Sequence, residues 1–202
     1  PMTNPLLPQT ELDAVNSMLA SIGQAPVSTL SVSGVRDVNI AKMALDNTLR
    51  SVLLQGWSFN TDTNYELVPD GNNNVVAPAS SLWVEPIDRL KNYVIRDNGG
   101  TLMFYDKGEH TFTITDNPLE VDIIWAYSFE TIPEAARNYV ATKASRIFQS
   151  QIIGSDILYK FTELQENEAL ATLKRLEART KKRNIFDGGF NMTATRGRRF
   201  NP

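Results

Sequence analysis

The residues best suited to chemistry in this chain are one histidine and four carboxylates that lie close together in the sequence. Glu109, Asp116, Glu120 and Asp122 fall within a short stretch, and His110 is the only histidine. Two carboxylates that flank a sugar ring can act as acid and base in glycoside hydrolysis. Closely spaced acids are equally typical of a solvated sheet surface. The pattern therefore leaves an envelope polysaccharide hydrolase open as an alternative without favouring it.

The sequence offers few other residues that could carry out catalysis or bind a metal. The chain has no cysteine, which excludes thiolate nucleophiles, thiolate metal ligands and disulfides. His110 has no nucleophile-elbow motif to partner it, so a surface or turn histidine is the preferred interpretation. The Asp70-Gly-Asn-Asn-Asn stretch lacks the bidentate acid and the spacing of a calcium loop. We therefore expect no catalytic residue, no metal site, no cofactor and no enzymatic activity.

Positive charge is concentrated at the C-terminal end. Residues 174–202 carry 9 Lys or Arg against 2 Asp or Glu, whereas residues 1–173 carry 11 against 21. A helix dipole accounts for part of the first basic cluster. The second cluster, Arg196, Arg198 and Arg199 beside Phe200, has no such local reason and suits a tail that orders on binding an acidic partner. A nucleic-acid-binding module that uses this basic arm stays open as a second alternative.

The elements that would position these residues change from helix to strand and back. Helical spacing of apolar residues predicts helices over 10–22, over 35–55, from Pro133 to a break at Gly154, and over 156–179. Between the second and third helices the pattern favours strands. An Asn-Gly-Gly sequence at 98–100 predicts a hairpin turn, residues 111–115 alternate as in a strand, and residues 121–127 predict the central strand because they are the most hydrophobic.

These elements predict an α+β fold. Residues 1–56 and 132–183 would form one helical unit from both chain ends, residues 57–131 an inserted β-rich unit, and residues 184–202 an extended C-terminal arm. Trp83 follows an irregular Pro- and Ser-containing segment, so it is a candidate interface aromatic. No apolar run approaches the length that spans a bilayer, so we expect no membrane insertion. The lack of cysteine suits assembly in a reducing cytoplasm.

Three stretches of the chain resemble one known family. The first is Thr10-Glu-Leu-Asp-Ala-Val-Asn-Ser-Met-Leu-Ala-Ser-Ile-Gly23 with Pro26 after it, and the second is the turn Gly-Trp57-Ser-Phe-Asn60. The third runs from Pro133 to Phe148 around a Thr-Lys-Ala-Ser-Arg core. In this order they resemble the tail tubular protein A family, the head-to-tail adaptors of short-tailed, podovirus-type phages.

The resemblance implies a structural virion protein without catalysis. It implies a homo-oligomeric ring, a dodecamer, between the portal protein and the tail nozzle protein, tail tubular protein B. DNA would pass through the lumen without specific binding, and the ring would be assembled in the host bacterial cytoplasm. Within that picture the basic arm would dock on the portal through six side chains: Phe186, Phe190, Arg196, Arg198, Arg199 and Phe200.

Overall fold

The computed structural model describes residues 8–31, 36–88, 90–152 and 156–187, with the side chains of the last helix described over 162–180. These residues form helices α1 (Glu11–Ser21), α2 (Arg36–Leu53), α3 (Glu134–Ile152) and α4 (Asp156–Asp187), with a short 3-10 helix at Phe129–Thr131. The strands are β1 (Thr61–Leu67), β2 (Ser81–Pro86), β3 (Tyr93–Asn98), β4 (Thr101–Asp106) and β5 (Leu119–Trp125). The predicted α+β class is confirmed.

Local signals set the ends of the first two helices, as predicted. At the start of α1 the Thr10 side chain accepts a hydrogen bond from the Asp13 backbone N–H at 3.1 Å. In return the Asp13 carboxylate accepts from the Thr10 backbone N–H at 3.0 Å, which completes a capping box. Gly23 at φ +77° follows α1 and Gly56 at φ +69° follows α2. Both glycines hold a left-handed conformation that side-chain-bearing residues rarely adopt.

The last helix is longer than the sequence pattern predicts. We expected it to end near Arg179, but the backbone stays helical to Asp187. The residues that follow Arg179 include Lys181, Lys182 and Arg183, which favour helix, and the first glycine comes only at position 188. The arm predicted to be extended from residue 184 therefore starts with four helical positions, and residues 188–202 lie outside the described part.

The helices from both ends of the chain share one core. Buried side chains from all four helices pack together with Trp57, Phe129 and Ile132. The start of the described chain is also tied to α3, because the Gln9 backbone N–H donates to the Glu134 carboxylate at 3.1 Å. Helix α3 contacts α1, α2 and α4 and so lies at the centre of the bundle. The assignment of residues 1–56 and 132–183 to one unit stays a prediction about boundaries, although these contacts support it.

The three-stranded sheet is antiparallel in the order β1-β5-β2. The prediction that the hydrophobic stretch 121–127 forms the central strand is confirmed, although the strand starts at Leu119 and ends at Trp125. Strand β5 is not buried on both faces, however. Leu119, Val121 and Ile123 point into the core, whereas Glu120 and Asp122 alternate with them and face outward.

The predicted hairpin is also confirmed. Strands β3 and β4 pair antiparallel, with Asn98 opposite Thr101. Gly99 and Gly100 form the two-residue connection, with φ of +65° and +90°. Positive φ at both positions is what a tight hairpin of this kind requires. A second buried cluster, formed by Val75, Tyr93, Phe104, Ile114, Leu119, Val121 and Ile123, joins this hairpin to the three-stranded sheet.

The strand predicted over residues 111–115 is wrong. Thr111 makes an isolated bridge to Asp106 and Thr113 makes one to Asn74, and no continuous ladder forms. Because the two bridges join this stretch to two different segments, neither segment pairs with it over consecutive residues. The alternation of this stretch comes from Ile114, which is buried in the second cluster, and not from membership of a sheet.

Candidate functional site and interaction surfaces

The structure separates the five residues that could do chemistry. Glu109 and His110 lie in an exposed turn, where His110 has φ +57°. Asp122 is exposed on β5 and accepts a hydrogen bond from a backbone N–H of β1 at 3.3 Å. Asp116 and Glu120 line a shallow cleft of about 220 Å³. These positions do not bring the four acids together as a group.

The two acids in that cleft are not a free pair. Asp116 Oδ1 accepts a hydrogen bond from Lys91 Nζ at 3.0 Å. Asp88, which also lines the cleft, accepts from the Leu90 backbone N–H and so shapes its own turn. A glycosidase needs two carboxylates able to act on the sugar from either side. Of these three acids only Glu120 makes no such side-chain contact within the described residues, so the cleft does not favour the hydrolase alternative. Among the described residues no group of three or more potential ligands could hold a metal ion.

The turn Gly56–Asn60, here called the junction turn, connects the helical bundle to the sheet. Asn60 is 1% exposed. Its Oδ1 accepts from the Trp57 backbone N–H at 2.9 Å, and its Nδ2 donates to the carbonyls of Leu53 and Trp125, each at 3.0 Å. The Trp125 backbone N–H in turn donates to the Asn60 carbonyl at 2.8 Å. One buried amide therefore links the end of α2 to the end of β5.

Trp57 completes this junction from the bundle side. Its indole Nε1 donates to the Val52 carbonyl at 2.8 Å while its ring lies in the bundle core. Gly56 cannot be replaced without strain, because a Cβ there would lie 3.2 Å from the Ile124 side chain. The sequence showed this turn as a family-like motif, but it did not reveal that Asn60 is the linking residue. Its partners Leu53 and Trp125 are far apart in the sequence, so no local signal could identify them.

Helix α4 is attached at two places. Arg146 Nε on α3 donates to Glu166 Oε2 at 2.6 Å, and both side chains are largely buried. Further along, the Glu177 carboxylate accepts from the backbone N–H and the hydroxyl of Ser58 in the junction turn, at 2.8 and 2.7 Å. The helix that leads to the basic end of the chain is thereby held to both α3 and the junction. Sequence reasoning missed these contacts as well.

The residues predicted to dock on the portal fall mostly beyond the described part. Phe190, Arg196, Arg198, Arg199 and Phe200 lie outside the described residues. Phe186 lies in the last turn of the α4 backbone, and its side chain is also outside the description. Their predicted role therefore stays a prediction.

Trp83 lies in an apolar groove on the β-rich part, here called the sheet groove. The groove has a volume of about 510 Å³ and is lined by residues of β2, β3 and β4. The Trp83 side chain is 54% exposed and that of Leu102, across the groove, is 55% exposed. An exposed tryptophan beside an exposed leucine is typical of an interface and not of a core. Trp83 is thus exposed, and its role as an interface aromatic stays a prediction.

Two exposed apolar side chains lie at the end of the sheet farthest from the junction turn. Because β1 starts and β5 ends beside Asn60, the antiparallel order places the loops after β1 and β2 at the opposite end. That end is about 20 Å away, since each strand residue advances by about 3.3 Å. Val68 and Leu90 in these loops are 72% and 91% exposed. We call this surface the distal end.

Comparison with known proteins identifies the family. A family model described as tail tubular protein matches residues 12–183 of the chain. The chain belongs to the tail tubular protein family. Tail tubular protein A of Klebsiella phage KP34 is 28% identical over 149 residues, which cover 74% of this chain and 76% of that protein. The resemblance seen in the three sequence stretches is therefore confirmed.

Family membership defines the broad role. The chain is a structural protein of a phage tail and a component of the virion. The match includes α2, α3, the described strands and α4 up to residue 183, so it covers the bundle, the junction turn and the sheet groove together. Separately, none of the described helices combines the length and apolar character needed to cross a membrane.

Proposed function

We propose that this protein is the head-to-tail adaptor of a podovirus-type phage, with the role of a tail tubular protein A. Its copies form a homo-oligomeric ring, a dodecamer, between the portal and the tail nozzle, and the ring encloses part of the DNA ejection channel. The family match over residues 12–183 carries this proposal, together with the likeness to a relative named tail tubular protein A. Mass measurement of the purified protein alone, and with its portal protein, tests it.

The charge distribution supports a channel through which DNA passes without specific binding. Residues 57–131 carry 4 Lys or Arg against 12 Asp or Glu, a difference of −8. An acidic surface repels phosphates and would not retard a moving duplex. Tight DNA binding by the full chain with a steep salt dependence would contradict this part of the proposal and favour the nucleic-acid-binding alternative.

The basic end of the chain would attach the ring to the portal. Residues 174–202 carry seven more basic than acidic residues. The first of them belong to α4, which is fixed to α3 and to the junction turn. Removing residues 188–202 should leave melting nearly unchanged and weaken portal attachment. Replacing Arg196, Arg198 and Arg199 with alanine should reproduce much of that loss. The matched Arg→Lys triple variant retains the charge and separates a general electrostatic effect from guanidinium recognition.

The sheet groove and the distal end would meet the nozzle protein, tail tubular protein B. Trp83→Ala should weaken nozzle binding by roughly tenfold to a hundredfold, as is usual for a tryptophan anchor at an interface. Tyr127→Ala is the matched control, because Tyr127 is also a large aromatic and is 40% exposed outside the groove. Equal effects of the two variants would contradict the assignment of the groove.

This function is structural and needs no catalysis, cofactor or metal. Assembly would take place in the host bacterial cytoplasm, with the protein ending at the head-to-tail junction of the virion and without membrane insertion. We expect purified protein to leave envelope polysaccharides intact. Turnover that is lost when Glu120 is replaced by glutamine would overturn this expectation and restore the hydrolase alternative.

A further inference from the structure

The helical bundle carries an apolar groove between α2 and α3, here called the bundle groove. It has a volume of about 270 Å³, and Met43, Ile147 and Lys143 are among its lining residues. The Met43 side chain is 63% exposed, although α2 is otherwise well packed. Lys143 lies at the edge with its Nζ 5.7 Å from the Tyr139 ring centre, and among the described residues no carboxylate pairs with it. The groove is therefore apolar inside, and the positive charge at its edge has no carboxylate partner in the described part of the chain.

Helix α4 shows the complementary surface. Leu164, Glu168, Ala171 and Arg175 follow the spacing of one helical stripe, and all four are exposed. We call this the outer stripe. Leu164 is 63% exposed, and Glu168 one turn later has no cation paired with it among the described residues. An exposed leucine next to an exposed carboxylate is complementary to an apolar groove with a lysine at its edge.

The two surfaces face different directions. The residues of α4 that pack inward, including Glu166, Ala169 and Leu173, lie roughly on the opposite side of the helix from the outer stripe. Helix α3 packs between α2 and α4, with Lys143 and Ile147 in the bundle groove and Arg146 directed to α4. One copy cannot fill its own groove with its own outer stripe. Two unlike, complementary surfaces on separate sides of one subunit are what a head-to-tail, ring-forming contact requires.

We propose that the outer stripe of α4 from one copy occupies the bundle groove of the next copy. Leu164 enters the groove beside Met43 and Ile147, and Glu168 pairs with Lys143 of the neighbour. The apolar contact supplies affinity, whereas the charge pair fixes the register and disfavours other pairings. This contact rests on the proposed ring, and it names the subunit surfaces that form it.

A cysteine cross-link tests the contact, because the natural chain has no cysteine to interfere. A chain with Met43→Cys and Leu164→Cys should form a disulfide-linked ladder, up to the closed ring, on mild oxidation. Each single variant should give no ladder, and a mixture of the two should stop at covalent dimers. The control chain carries Val68→Cys with Leu164→Cys; Val68 is 72% exposed but lies at the distal end of the sheet, so no ladder is expected.

Charge exchange tests the register independently. Lys143→Glu should weaken assembly by about two- to fivefold per contact, the usual range for an exposed ion pair, and Glu168→Lys should do the same. The double variant should restore assembly. If rings form normally but the Met43–Leu164 pair does not cross-link and the double variant restores nothing, the contact is wrong while the ring stands. A chain that stays monomeric with its portal and nozzle proteins present would overturn the ring itself.

Discussion

Replacing Asn60 with alanine should destabilise the protein more than any change of similar size on its surface. The buried amide makes three hydrogen bonds, to the Trp57 backbone N–H and to the carbonyls of Leu53 and Trp125. Each contributes about 1 kcal/mol net, and their former partners stay buried without replacement. The expected loss in the free energy of unfolding is therefore about 3 kcal/mol. For a chain of this length that corresponds to a fall in Tm of roughly 6–12 °C.

Urea unfolding followed by tryptophan fluorescence measures this loss, because Trp57 lies in the junction turn and Trp125 is hydrogen-bonded to it. Asn138→Ala is the matched control, since Asn138 is exposed on α3 and alanine suits a helix. Asn60→Asp is a sharper variant of the same size. The aspartate replaces the donating Nδ2 with an oxygen that faces the two carbonyl oxygens. The loss in free energy of unfolding should therefore equal or exceed that of Asn60→Ala. An Asn60→Ala protein within about 1 kcal/mol of the unmodified chain would refute the view that this amide holds the bundle to the sheet.

Three further perturbations follow from the described contacts. Gly56→Ala should cost about 1–3 kcal/mol in thermal or urea unfolding because of its positive φ and its close contact with β5, whereas Gly71→Ala, in open space, should change little; equal effects would contradict the strain argument. Glu166→Gln should cost about 3 kcal/mol in the same assay, because it removes the negative charge that pairs with the largely buried Arg146 guanidinium; an unchanged stability of this variant would show the charge pair to be dispensable. The hydrogen bond to the Glu11 carboxylate on α1 raises the pKa of Lys42 above its ordinary 10.5. The stabilisation from this contact is therefore present below pH 10.5 and is lost as the pH rises through the folded-state pKa of Lys42. A titration of Tm against pH should show a smaller fall at alkaline pH for Lys42→Met than for the unmodified chain.

The sequence predicts well those features that depend on residues close to one another in the chain. Thr10 and Asp13 are three positions apart and complete their cap without help from the rest of the chain. Gly99 and Gly100 can both adopt positive φ, so the hairpin follows from two adjacent residues. The central position of β5 follows from hydrophobicity, because the strand with most to bury takes the place with most neighbours. These are local or compositional decisions, and a sequence records them directly.

The features that join distant parts of the chain were not predictable in this way. Asn60 and Trp125 are held together by pairing between β1 and β5, and Ser58 meets Glu177 only because α4 packs back over the bundle. The same reason explains the failure at residues 111–115. Their alternation satisfied the local requirement for a strand, but the residues that they bridge to, Asp106 and Asn74, belong to different segments. Whether a segment forms a β-strand therefore depends on a partner strand elsewhere in the chain as well as on its own sequence.

The geometry of α4 constrains how the basic end would reach the portal in the proposed assembly. Glu177 bonds to the junction turn, and the helix continues to Asp187, which is about 15 Å farther at 1.5 Å per residue. The arm therefore departs about 15 Å beyond the junction turn and not from the opposite end of the bundle, where α2 starts. Fully extended, residues 188–202 span at most about 50 Å. Helix α2, which runs along the bundle from Arg36 to Leu53, is about 27 Å long.

Passing back along the last 15 Å of α4 and the 27 Å of α2 would use about 42 Å, so an arm of that reach keeps roughly 8 Å for the proposed portal docking beyond the bundle. The acidic β-rich part of the same chain is also within reach. A docking site on the portal must therefore bind the arm more strongly than that acidic surface does, and charge alone cannot ensure this, because both sites would be acidic. Apolar contacts of Phe190 and Phe200 can distinguish the portal site from the acidic sheet, because burial of an uncharged ring does not depend on the negative potential of the sheet. Exchanging both for serine should then reduce portal attachment while leaving its salt dependence unchanged. A loss of salt dependence instead would mean that the aromatic side chains only orient the arginines.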